Sequence, residues 1–375
     1  MQLVPRHWKQ MAALFAAAAL AIAPARADIN VGETVGVSGA VAATVKESLI
    51  GAHLYIEWIN ATGGIKGEKI NLVTLDDGFD VKRAVENVHK LGSDPSIVTL
   101  FMNRGTPHTQ AIMPLLAQYQ IALVAPSTGA MLLHKPINKY IFNVRAPYQR
   151  EAQKAVEHLA TTGITRVAVV QVDDAFGADA VEGAMLGFNK MKLKPVVLVK
   201  VDREKPDYKK VVPPVIASNA QAILWFGSGT AVSDGIKALR AAGSAAQVVT
   251  LSNNASGGFI KALGDAGKGV IVTQVFPYER SYAYPLVLEA VSIAKEAGLQ
   301  ELSPAILEGF AGAKVLVEAL RRASPKPTRA KVLAALESMK KFDLGGLDVS
   351  YSPTDHTGLE FADLSIIGVD GRFRR

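Results

Sequence analysis

The sequence predicts an α/β protein made of two doubly wound lobes, the chain passing between them more than once. Three observations carry this reading. Strand and helix patterns alternate along most of the 375 residues, the connections between them are short, and the length exceeds what one hydrophobic core holds comfortably. An apolar share of 49% lets burial alone supply the stability of both cores.

Residues 1–27 stand apart. Arg6, His7 and Lys9 form a charged start, Met11 to Ala23 is an apolar run, and Ala25 and Ala27 supply small residues before Asp28. This is the pattern of a cleaved signal peptide. The run is too short for a membrane-spanning helix of about twenty apolar residues, and Gly, Pro or charge interrupts every later one. The expected location is therefore the periplasm. Removing the segment leaves 348 residues and lowers the net charge from +7 to +4, because Arg6, Lys9 and Arg26 go with it. No basic stripe with interleaved aromatics appears, so nucleic acid is not an expected partner. The absence of cysteine excludes disulfides, thiolate metal sites, a cysteine nucleophile and a cysteine-linked lipid anchor.

In the mature part, Ile29–Val37 reads as a strand and Val45–Asn60 as a helix with Leu49, Ala52, Ile56 and Ile59 on one face. Thr62-Gly63-Gly64 stops it. Strand Lys69–Leu75 runs into Asp76-Asp77, helix Val81–Leu91 follows, then strand Ile97–Phe101, helix Thr109–Tyr119 and strand Ile121–Ala125. A second series alternates helices Gln149–Thr162, Ala178–Lys190, Tyr208–Ala217 and Thr230–Ala242 with strands Arg166–Val172, Val196–Val201, Ala222–Phe226, Gln247–Leu251 and Gly269–Thr273. Val211-Val212-Pro213-Pro214 reads as a turn. The tail returns to helices Pro285–Ala297, Leu302–Ala323 and Thr328–Lys340, then ends in strands Leu347–Tyr351 and Phe361–Val369.

Two strand ends are the most informative places. Asn103-Arg104-Gly105-Thr106-Pro107 follows one strand and Ser127-Thr128-Gly129-Ala130 the next. Small hydroxyl and glycine residues at the start of a helix offer free backbone N–H groups and the positive end of its dipole, which suits a carboxylate. Neighbouring parallel strands would turn both loops toward one crevice. Enzyme motifs are poor by comparison. Gly227-Ser228-Gly229 lacks the third glycine of a dinucleotide loop, no Gly-x-Ser-x-Gly elbow exists, and the histidines form no metal-binding pair at helical spacing. Asp76-Asp77 and Asp173-Asp174 read as helix caps or loop anchors. The chain is expected to bind without catalysing, using no cofactor or metal.

Asn60 to Ile70, Asp76-Asp77, Gly105-Thr106 with Thr109-Gln110, Ala125-Pro126-Ser127, Asp174-Ala175-Phe176-Gly177 and Ala238 to Gly243 together resemble the leucine/isoleucine/valine-type periplasmic binding proteins, the type I solute receptors of ABC importers. The resemblance covers essentially the whole mature chain. It implies two Rossmann-like lobes, 28–145 plus 278–343 and 146–277 plus 344–375, with a three-crossing hinge and a ligand closed between them. It places an α-carboxylate on Gly105, Thr106, Ser127 and Gly129, beside Thr128. Thr44 would border the cleft and Phe176 cover the ligand. Tyr148, Arg150, Ser228, Ser252, Asn253 and Tyr278 would be neighbours.

Two departures bear on the ligand. The family's acid for an ammonium group falls on Ser252, and an acidic hinge position falls on Arg150. Losing a charge-assisted bond removes about 1.5–3 kcal/mol, so an amine-free acid (aromatic, branched or hydroxy) is expected beside the alternative that Asp173 or another acid takes over and an apolar amino acid binds. The family's small first-lobe disulfide is missing, with Phe79 and Gly105 in its place. The implied function is capture of a small carboxylate for an inner-membrane ABC permease and its ATPase by a monomeric receptor. The other function considered is ligand sensing for a membrane kinase or chemoreceptor.

Overall fold

The computed structural model describes residues 28–375; the leader expected over 1–27 lies outside the described residues. The first sheet has the order β2-β1-β3-β4-β5 and is wholly parallel. Its strands are β1 (Ile29–Val35), β2 (Ile70–Asp76), β3 (Ile97–Phe101), β4 (Leu123–Val124) and β5 (Ile141–Phe142). All five β3 residues are buried, as a strand covered on both faces requires. The linking helices are α1 (Ala42–Ala61), α2 (Val81–Ser93) and α3 (Thr106–Gln118). Helix α3 starts three residues earlier than expected. Gly105 adopts a φ of 95°, closed to most side chains, and Pro107 sits in the first turn, where a missing N–H costs nothing.

After β5 the chain crosses to the second lobe through α4 (Tyr148–Thr161). Here β6 (Val167–Val172), β7 (Val197–Val201), β8 (Ala222–Phe226), β9 (Gln247–Thr250) and β10 (Ile271–Gln274) alternate with α5 (Ala175–Lys190), α6 (Tyr208–Ala217), α7 (Thr230–Ala241) and α8 (Gly257–Leu263). Helix α5 also begins early, because the Asp174 carboxylate caps it by accepting from the Phe176 and Gly177 N–H groups. The two prolines read as a turn, Pro213 and Pro214, lie inside α6 instead. Helices α9 (Pro285–Glu296), α10 (Pro304–Ala323) and α11 (Arg329–Glu337) return to the first lobe. A last crossing adds β13 (Asp363–Ile367), antiparallel to β10, and β14 (Phe373–Arg374), completing the order β7-β6-β8-β9-β10-β13-β14.

The change of lobe expected at 344 falls later. The short pair β11 (Phe342–Asp343) and β12 (Asp348–Val349) joins neither large sheet, and Leu344, Val349, Tyr351 and Leu359 pack into the first-lobe core. Only the strands from 363 onward belong to the second sheet.

The first lobe is built around α10, which packs on α1 almost backbone to backbone. A Cβ on Gly309 would sit 1.8 Å from the Ser48 carbonyl oxygen, and one on Gly51 1.8 Å from that of Ile306. Gly309→Val therefore forces the helices apart and lowers stability by about 1–3 kcal/mol or more, read as an earlier thermal midpoint. Within β1, Glu33 is fully buried; one carboxylate oxygen accepts from the Thr74 hydroxyl at 2.7 Å and the other has no partner among the described residues. Burial pushes this carboxyl up to about 7. The folded protein thus holds a proton between pH 4.5 and 7 that the unfolded chain releases, and stability is lost as pH rises through that window. Glu33→Gln removes the dependence, so urea unfolding should show the variant gaining on wild type from pH 5 to pH 8, by up to about 3 kcal/mol.

Candidate ligand-binding cleft

The carboxyl ends of the central strands of both sheets face each other across the lobe boundary. Past β3 and β4 the two loops run side by side: the Ser127 N–H donates to the Asn103 carbonyl at 2.8 Å, and Arg104 pairs with Ser127 as a parallel bridge. Their hydroxyls are already engaged. Thr106 Oγ1 and Thr128 Oγ1 share a hydrogen bond of 2.8 Å. Ser127 Oγ accepts from Arg104 Nη1 at 3.0 Å and donates to Glu308 Oε1 at 3.0 Å. Arg104 is only 3% exposed, and its Nη2 crosses to the second lobe, donating to the Asn253 carbonyl at 2.6 Å. Burial depresses the Arg104 pKa from its ordinary value.

A second buried cation lies at the first crossing. Arg145 forms an ion pair with Glu151, donates to Ser252 Oγ at 2.7 Å and stands 4.4 Å over the Tyr148 ring. Glu151 also accepts from the Ser252 N–H at 3.0 Å and from the Thr273 hydroxyl, so both its oxygens are used. This pair fastens α4 to the ends of β9 and β10. Other bonds close the lobes on each other: Thr44 with Ser256 at 2.9 Å, and the Glu47 carboxylate with the Gly257 and Gly258 N–H groups at 3.0 and 2.7 Å.

Beside this polar seam lies a cavity of about 620 Å³. Phe79 and His108 line it from the first lobe; Arg203, Tyr208, Trp225 and Ser228 line it from the second. Phe79 sits in the left-handed region at φ 63°, where its N–H donates to Asp77 Oδ1 at 2.8 Å. Its ring stacks on His108 with centroids 4.4 Å apart and planes 18° from parallel. Gly105 makes the stack possible, since a Cβ there would lie 2.7 Å from His108 Nδ1 and 2.9 Å from Phe79 Cε2. Arg203, tethered to Asp174, lies 5.3 Å over Phe79 and 6.0 Å from the Phe176 ring centre.

Of the residues expected at the site, Ser228 lines the cavity, where its Oγ accepts from Asn253 Nδ2 at 3.0 Å. Thr106, Ser127, Thr128, Ser252 and Asn253 are buried in the seam beside it. Tyr148 meets Phe176 edge-on at 4.8 Å, and Gly129 packs on the crossing, its carbonyl accepting from the Tyr148 N–H at 2.7 Å. Two expectations do not hold. Arg150 is exposed on α4, and the buried hinge position is taken by its neighbour Glu151, an acid. Tyr278 packs on the second-lobe core and its hydroxyl donates to the Phe373 carbonyl at 3.0 Å, away from the cleft. Sequence reasoning missed Glu151, Glu308, His108, Arg203 and Trp225. Glu308 carried a usable signal, a lone acid in the otherwise small and apolar start of α10.

A periplasmic binding protein family model matches residues 28–364, nearly the whole described chain. The chain belongs to the periplasmic binding protein family. It is similar to the Leu/Ile/Val-binding protein of Escherichia coli K12, 23% identical over 270 residues that cover 72% of this chain and 73% of that one. The leucine-specific-binding protein of Salmonella typhimurium is 23% identical over 341 residues, 89% of each chain. Among solved structures, a substrate-binding periplasmic protein from Ralstonia solanacearum has 32% identity and a TM-score of 0.85, over 92% of this chain and 99% of that one. The two doubly wound lobes and the multiple crossings are thus those of the family.

Glu151→Gln removes the closer of the two carboxylates beside the buried Arg145, leaving Glu308 at 3.9 Å, and breaking a buried pair costs up to about 3–5 kcal/mol. The denaturant midpoint should fall accordingly, whereas Arg150→Gln should leave it unchanged.

Proposed function

We propose that the chain is a periplasmic solute-binding protein of an ABC importer that captures a small carboxylate between its lobes and delivers it to the inner-membrane permease. The observation that carries this reading is Arg104: a buried guanidinium on the lobe boundary whose hydrogen bonds end on neutral acceptors, Ser127 Oγ and the Asn253 carbonyl, and which reaches Glu308 only through Ser127. A buried cation without a direct counter-charge is costly, and a ligand carboxylate at the seam relieves that cost while satisfying remaining N–H donors. Thr106, Ser127 and Thr128 then supply hydroxyls from the first lobe, and Ser228, Ser252 and Asn253 face them from the second.

The charge pattern favours an amine-free acid over an amino acid. The seam's acids are committed, Glu151 to Arg145, Ser252 and Thr273, and Glu308 to Ser127. An ammonium would have to displace one of these bonds in the presence of two guanidinium groups. The relatives' names, which specify leucine, isoleucine and valine, support the alternative of an apolar amino acid. No bond is made or broken in either case. Ligand settles on the first lobe, the second closes over it, and the shift in population toward the closed form is what the permease reads. The leader over 1–27 takes the chain to the periplasm, where it works as a monomer.

Calorimetry with 4-methylpentanoate and leucine tests the reading directly. The amine-free acid should bind the tighter of the two. Arg104→Met should weaken binding at least tenfold, in line with about 1.5–3 kcal/mol for hydrogen bonds to a charged group, and Ser127→Ala by about 1 kcal/mol. Unchanged affinity in both variants would discard the anion site.

A further inference from the structure

The first turns of α1 carry a face whose partners all lie in the other lobe. Ala43, Thr44 and Glu47 recur at helical spacing, and Ala40 extends their line into the turn before the helix. Each of them meets the second lobe. The Ala40 carbonyl accepts from the Thr230 N–H at 3.2 Å, and the Thr44 and Ser256 hydroxyls share a bond of 2.9 Å. Glu47 Oε2 accepts from the Gly257 N–H at 3.0 Å, and Glu47 Oε1 from the Gly258 N–H at 2.7 Å. Gly258 comes so close that a Cβ on it would lie 2.6 Å from the Ala43 Cβ. Gly229 is short of room for the same reason, since a Cβ there would stand 1.9 Å from the Ala40 oxygen.

Glu47 is the informative group. Among the described residues it pairs with no cation, and both its oxygens go to backbone N–H groups of the opposite lobe. Bonds from such donors to a charged acceptor are among the stronger ones. The face that presents it is rigid, because α1 packs on α10 nearly backbone to backbone at Gly51 and Gly309. The chain crosses between lobes after β5, after β10 and before β13, so this face is tied to the second lobe by contacts alone. These contacts can be made and broken as one set. Ala40 and Thr230 line the cavity, whereas Glu47 lies outside its lining.

Building on the receptor reading above, we propose that Glu47 is a latch of the closed form, a positioning residue that holds the second lobe on α1 without touching the ligand. The balance between open and closed forms, and with it the residence of whatever the cavity holds, then depends on a carboxylate outside the cavity.

The test measures the distance between the lobes. The chain has no cysteine, so Glu86→Cys on α2 and Lys209→Cys on α6 place one spin label on an exposed position of each lobe. These helices follow β2 and β7, at the sheet edges remote from the crossings, where opening moves the lobes furthest apart. Pulsed electron spin resonance on the mature protein, alone and with 4-methylpentanoate or leucine as probe, should show a short-distance population. Glu47→Ala should lower the ratio of short to long distances about tenfold, in line with lost hydrogen bonds to a charged group. Glu47→Gln, with one acceptor oxygen in place of two, should fall between, and Lys46→Ala, the exposed neighbour off this face, should match wild type. Thermal unfolding reports whether each variant is folded; if Glu47→Ala is not, Glu47→Gln decides. A wild type without the short population in any sample overturns the latch, as does a ratio that Glu47→Ala leaves unchanged or that Lys46→Ala lowers equally. Calorimetry reads probe binding separately: failure of both probes to bind discards the carboxylate reading and leaves the latch to be decided by the samples without probe.

Discussion

The buried ion pair between Arg145 and Glu151 holds the rest of the molecule in register. It sits where the chain first leaves one lobe for the other, and through Ser252 and Thr273 it fixes the ends of two second-lobe strands to the crossing itself. Buried charges of this kind add little stability compared with apolar residues of the same size, but they tolerate few alternative arrangements. Here that intolerance has a use. The loops after β3, β4, β8 and β9 meet at one seam because the crossing gives them a defined angle, and Arg104 spans what remains of the gap.

The site divides into two regions with different physics. The seam is polar, tightly packed and dense in charge, and its hydroxyls already serve one another. The cavity is aromatic and roomy, with His108 buried in its wall. Each lobe contributes residues to both regions.

Much of the architecture was legible because it is written in local periodicity. Parallel strands buried on both faces read as apolar runs, and the helices between them show their stripes, so both series of elements were readable from the chain alone. The loops after β3 and β4 were also legible as strand ends rich in hydroxyl and glycine. What escaped depends on long separations. Arg145 meets Ser252 across 107 positions, and Ser127 meets Glu308 across 181, with nothing in either neighbourhood to announce it. The hinge acid was misplaced by one residue, from Glu151 to Arg150, since in a short stretch only burial distinguishes them. The tail failed for another reason. β11 and β12 are two residues each, too short to carry a period, so the lobe they belong to could not be read. Gly51 and Gly309 look ordinary in sequence, and only the near contact of α1 and α10 explains them.

The corner where Phe79 lies against Gly105 and His108 has a consequence for biogenesis. Where relatives of the leucine-receptor type are expected to clip this loop covalently, this chain uses ring on ring and has no cysteine. Folding of the chain, which has no cysteine, is accordingly independent of thiol oxidants. The binding-competent form should assemble as readily in a reducing medium as in an oxidising one.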